Sequence, residues 1–193
     1  MNPFAHFFKP KIGSELSTVI KAAHERARRY SHDYVGVEHV FLSLRDLPEL
    51  SPAAAILRQL PIDQGTFWAE LEKGAQVITG RPVPATLPHT PRLQFILERA
   101  GRWAKQGKKK EITASHFIAA VCTERTSFVA HIFRQVSERN QNLFSDAHAA
   151  AAYFTLLMTN RESMIFQTTE PNPSLQTTTM AVTDAAAQPP RQP

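Results

Sequence analysis

Cysteine occurs once in the 193 residues, at Cys122, so no internal disulfide can form and burial must hold the chain together. Cys122 lies between Val121 and Thr123 in an apolar-periodic stretch, where a small buried hydrophobe is expected rather than a reactive thiol. Long hydrophobic runs are also missing. Nothing approaches the ~18 consecutive apolar residues of a membrane span, which argues against a membrane role. Met1 to Phe8 carries several aromatics, but Lys9 and Lys11 follow without an apolar core or small-residue cleavage site. The segment does not read as a secretory signal, and a cytoplasmic location is expected. None of the seven glycines belongs to a Gly-x-x-x-x-Gly-Lys-Ser/Thr string, which excludes ATP hydrolysis through a P-loop. Nothing alternates with period two for long enough to make a sheet, and no two of the eight histidines stand three or four residues apart. No metal set, cofactor or catalytic constellation can be assembled from spacing.

What is present is a soluble, globular composition, 42% hydrophobic and 20% charged. The formal net charge of +5 is unevenly spread: residues 141–193 hold two basic and four acidic residues, which leaves +7 on residues 1–140. A basic body is compatible with nucleic acid, acidic proteins or phosphorylated ligands.

Self-similarity at a period of 77 residues organises the chain. Leu16, Val19, Ile20, Ala23 and Ala27 form one face of an amphipathic helix, and Leu93, Ile96, Leu97, Ala100 and Ala104 occupy the same five places. Val35, Val37, His39, Val40, Phe41 and Leu44 correspond to Ile112, Ala114, His116, Phe117, Ile118 and Val121. After a one-residue shift, Ile56-Leu57-Arg58-Gln59-Leu60 matches Ile132-Phe133-Arg134-Gln135-Val136.

The punctuation predicts four helices per repeat. The first starts near Ser14 or Thr90, where a hydroxyl can cap and Pro91 suits the first turn. The second starts around Val37 or Ala114. Ser51-Pro52 and Thr126-Ser127 open the third, and Asp63 caps a fourth running toward Ile78, with its counterpart near Ser137. The expected fold is all-α: a pseudo-twofold bundle of two four-helix repeats with the long first helices, 14–30 and 90–105, packed centrally. Residues 1–13 make an arm, 14–79 the first repeat, 80–89 a proline-punctuated linker and 90–140 the second repeat. A further helix is expected over 141–159. Residues 160–193, poor in large apolar groups, are expected to be a disordered tail or linker.

Tyr34-Val35-Gly36-Val37-Glu38-His39-Val40-Phe41-Leu42-Ser43-Leu44 resembles the first-repeat signature of the Clp N-terminal (Clp R) domain, the front module of the Clp AAA+ unfoldases. His89-Thr90-Pro91-Arg92 resembles the segment that opens the family's second repeat, and the similarity covers roughly residues 14–140. In the second repeat the signature becomes Ile112-Thr113-Ala114-Ser115-His116-Phe117, without the glycine and the glutamate. The resemblance implies a non-enzymatic module that captures substrate proteins or adaptors and links them to a Clp AAA+ ATPase in protein quality control. Here no ATPase ring is present in the chain.

The resemblance also points to Glu38, with Val37 and His39, as a contact for peptide or phosphoarginine. Some family members pair backbone N–H groups with the phosphate and a carboxylate with the guanidinium at this place. The alternative is that Glu38 stabilises its own helix start. His39 and His116 recur among inward-packing residues and read as structural histidines. Lys105, Lys108, Lys109 and Lys110 form a basic patch in the turn after the first helix of repeat two. With Trp103, Arg99 and Arg102 nearby, this suggests the competing reading: a helical, basic nucleic-acid-binding regulator, whose binding would be strongly salt-dependent. Trp103 is equally placed to fill the core. In the leading reading, peptides bind a groove between the repeats, with Phe67 and Trp68 as contacts if exposed.

Overall fold

A computed structural model describes residues 10–76, 82–137 and 154–155. Among these residues lie seven α-helices: α1 (Ser14–Arg29), α2 (Val37–Ser43), α3 (Pro52–Gln59), α4 (Gln64–Ala75), α5 (Pro91–Gln106), α6 (Ala114–Cys122) and α7 (Phe128–Ser137). The first repeat thus has its four helices. The expected fourth helix of the second repeat, the helix over 141–159 and the tail lie outside the described residues, apart from Phe154, which is buried in the core.

The helix starts follow the expected chemistry at four places. Ser51 Oγ accepts from the N–H groups of Ala53 and Ala54, Asp63 from Thr66 at 2.8 Å, Thr90 from Leu93 at 3.1 Å, and Ser127 from Ala130 at 3.1 Å. Ser14 is the exception, because the N-cap position of α1 is Gly13, which has no side chain to cap with. Instead the Gly13 N–H donates to Ile112 O at 3.0 Å.

That bond belongs to a short parallel ladder, β1 (Lys11–Ile12) with β2 (Glu111–Ile112), which period-two reasoning could not detect in two-residue strands. Its pseudo-twofold image is the bridge Val35↔His89, where Thr90 N–H donates to Val35 O at 2.9 Å. Each repeat's entry strand therefore pairs with the other repeat's connection between its first two helices. One ladder bond is not reproduced: Lys11 N–H donates to Lys110 O at 3.2 Å, but the equivalent donor is Pro88, which has no N–H.

The helices obey the same exchange. α1 packs on α2 and α5 on α6 within each repeat, while α3 packs on α6 and α7 on α2 across them. The centre is formed by α2 and α6 rather than by the two long helices. Every residue of α6 is buried, as are Val37 and His39–Ser43 of α2, whereas α1 and α5 bury only one stripe each. A helix apolar all round belongs inside, and an amphipathic one outside. Phe41, Phe67, Trp68 and Phe133 form an aromatic cluster where α2, α4 and α7 meet, with the Phe67 and Phe133 ring centroids 4.4 Å apart.

Candidate protein-binding surface

The first candidate place is the start of α2. The Gly36 N–H donates to His39 Nδ1 at 2.9 Å, so the imidazole acts as the third-position partner of a capping box. Accepting on Nδ1 leaves the His39 proton on Nε2, which faces His32 Nδ1 at 2.8 Å. Burial, then the charges of His32 and Arg26, lower the His39 pKa to about 3, so the ring is neutral at physiological pH. The second repeat repeats the device, with Thr113 N–H donating to His116 Nδ1 at 3.0 Å.

Val37 and His39 are buried, and of the three expected contacts only Glu38 keeps a partly exposed side chain, at 18%. Its carboxyl folds back over Gly36, where a Cβ would collide with it, and lies 3.4 Å from His39 Nδ1. Burial pushes this carboxyl above the usual range, although its own backbone N–H and the charge of His32 pull the other way. The carboxylate thus sits against the free N–H end of its own short helix.

The second place is a shallow cleft of ≈ 380 Å³ between the first turn of α1 and the loop before α3, lined by Ser14, Glu15, Thr18, Leu47, Pro48 and Ser51. Ser51 Oγ donates to Glu15 Oε1 at 2.6 Å while its lone pairs cap α3, which fixes the acidic wall. Leu50, at the tip of the same loop, is 97% exposed. This cleft lies within repeat one. The counterpart in repeat two is built differently. Arg92 pairs with the buried Glu124 at 3.2 Å, and the exposed Phe95 has the Arg92 and Arg99 guanidinium carbons 5.7 and 5.9 Å from its ring centroid.

Phe67 is fully buried and is no surface contact, while Trp68 is partly buried against the core. Trp103 is likewise partly buried against the core; Phe95 is the exposed ring that sequence reasoning missed. Its signal was the i−3 and i+4 arginines on the same helix face. Lys105, Lys108, Lys109 and Lys110 are exposed, as expected of a solvated turn. Cys122 is buried, and burial raises its thiol pKa well above the usual value.

Two swapped strand pairings, swapped third helices and a histidine cap repeated 77 residues apart describe one double-repeat architecture. The family model of the Clp repeat (R) N-terminal domain matches residues 11–136. The chain belongs to this family.

Relatives of this Clp R domain include the chloroplastic ATP-dependent Clp protease ATP-binding subunit ClpA homolog CD4B of Solanum lycopersicum. It is 29% identical over 144 residues, covering 70% of this chain and 15% of that protein. The ClpC ATP-binding subunit of Staphylococcus aureus is 28% identical over 123 residues, 64% of this chain and 15% of that one. The chain therefore spans about a seventh of the length of these relatives. Among solved structures, the Hsp104 N-terminal domain of Candida albicans superposes with a TM-score of 0.60 at 15% identity, covering 79% of this chain and 93% of that one. A ClpV N-domain in complex with a VipB peptide gives 0.56 at 16% identity, covering 78% and 88%. No described helix is long and apolar enough to cross a membrane.

Proposed function

We propose that the chain is a non-catalytic protein-binding module that holds adaptor or client polypeptides for a Clp AAA+ ATPase. The observation that carries this reading is Leu50, a wholly exposed leucine in the loop whose Leu47, Pro48 and Ser51 line an open cleft. An apolar side chain held in water beside a concavity favours burial against another polypeptide. Glu15 on the wall favours a segment carrying arginine or lysine beside its apolar anchor. The recurring histidines spend a ring nitrogen on a backbone N–H, and the thiol is buried, which supports interaction rather than chemistry.

The test is binding of the whole chain to the purified Clp ATPase of the same cell, to its adaptors and to a permanently unfolded reporter protein. Leu50→Asp is expected to weaken the productive pairing about fivefold or more, the scale of losing one buried leucine contact. Glu38→Ala reports whether the α2 start shares in it. Absence of affinity for all three partner classes would end the reading.

A second reading draws on Phe95 between Arg92 and Arg99, an arrangement on which a nucleobase could stack, with the lysine turn at the far end of α5. Polynucleotide affinity that falls steeply with salt and is lost in Phe95→Ala would favour it.

A further inference from the structure

Two imidazoles, one from the first repeat and one from the strap before the second, meet at the surface. His24 projects from the middle of α1, and His89 stands in the strap that leads into α5; their Nε2 atoms are 3.1 Å apart, with ring centroids 5.2 Å apart and planes tilted by 49°. They are 65 residues apart in sequence, so helical spacing could not reveal them. Both are half buried, and each backbone is pinned: His24 within a helical turn, His89 by its bridge to Val35.

We propose that His24 and His89 form a two-histidine site for a first-row transition-metal dication, which ties the two repeats together. Nitrogen–metal bonds of ~2.0–2.1 Å drawn from both Nε2 atoms across the 3.1 Å gap meet at an angle of about 100°. That lies between the cis angle of square-planar or octahedral Ni²⁺ and Cu²⁺ and the tetrahedral angle of Zn²⁺. Among the described residues no group of three or more His, Cys, Asp or Glu converges, so water completes the coordination shell from the exposed side. In the metal-free protein one ring donates its Nε2 proton to the other. Binding requires that ring to carry its proton on Nδ1 instead, so both Nε2 lone pairs point at the ion and no proton is released overall. Arg28, one turn further along α1, is engaged with the carbonyls of Pro84 and Ala85, at 3.5 and 2.6 Å. Its charge is thereby tethered to the linker.

The experiment is calorimetric titration of the whole chain with NiCl₂ and with ZnCl₂ in a non-chelating buffer, paired with thermal unfolding. One ion per chain and a rise in Tm reversed by EDTA are expected, because an ion held by both repeats stabilises only the folded state. His24→Ala and His89→Ala should each weaken binding about tenfold or more, since loss of one arm removes the chelate advantage. His131→Ala, an exposed histidine on α7, should leave it unchanged. Should an alanine variant fold poorly, His24→Gln and His89→Gln keep the bulk and serve in its place. No saturable binding at millimolar metal, or binding that persists when either histidine is removed, overturns the proposal.

Discussion

His39 and His116 stand 77 residues apart and perform the same act: each accepts, on Nδ1, the backbone N–H three residues before it, Gly36 at 2.9 Å and Thr113 at 3.0 Å. A histidine at the third helical position thus does what glutamate or glutamine does in an ordinary capping box. The first copy is buried against a second histidine, His32.

This predicts a stability that depends on pH through His39. Its folded pKa of about 3 lies below the ~6.5 of an unfolded histidine, so the unfolded chain binds the extra proton between those values. The contribution is fully present above about pH 6.5 and is lost as pH falls toward 3, by at most about 1.4 kcal/mol per pH unit. His39→Gln keeps an acceptor for Gly36 and should flatten this slope, whereas His39→Ala should cost about 2–3 kcal/mol at neutral pH. Urea unfolding of the three proteins across that range checks both; equal slopes in wild type and His39→Gln would contradict the assignment.

Ser31 and Lys108 end α1 and α5 in the left-handed region, with φ of 56° and 55°. Neither is glycine, and both are exposed, so each carries the steric cost of a Cβ there. Ser31→Gly and Lys108→Gly should each stabilise the domain by about 0.5–1 kcal/mol, read as a higher urea midpoint. Destabilisation by either would mean that the side chain contributes more than its backbone strain costs.

Glu124 is buried, and its carboxylate accepts from Thr126 N–H at 2.7 Å, from the Thr126 hydroxyl and from Ser127 N–H at 2.6 Å, besides pairing with Arg92. Burial alone would raise its pKa, but these hydrogen bonds outweigh it and hold the group below the usual carboxylate range. The stabilisation is present above the unfolded pKa, ~4.3, and is lost as pH falls through the lower folded value. Glu124→Ala should cost about 2–3 kcal/mol, by stranding buried donors at the start of α7. Arg92→Ala, with a half-exposed guanidinium, should cost less than about 1 kcal/mol.

The exchanged strands and third helices predict that neither half folds alone. Residues 1–80 contain α3 without the α6 it packs on, and residues 81–193 contain α7 without α2. Each fragment should lack a cooperative thermal transition, and mixing them should restore one. A sharp transition in either fragment by itself would contradict this.

The repeat, the helices, their capping residues and the family were legible in the sequence because each rests on local chemistry. Apolar stripes recur at helical spacing, and Ser51, Asp63 and Thr90 announce helix starts wherever they stand. The inward placement of His39 and His116 was legible too, since both recur within the same mainly apolar pattern. What the sequence left open was decided by contacts between distant segments. Phe67 could have been a surface anchor until α2 and α7 covered it. That the Glu38 carboxyl lies over Gly36 was not legible, and Leu50 had no special mark until its loop projected into solvent. His24 and His89 became a pair only because the strap before α5 runs beside α1. Periodicity specifies which face of a helix is buried, but only the packing of the two repeats specifies what that face meets.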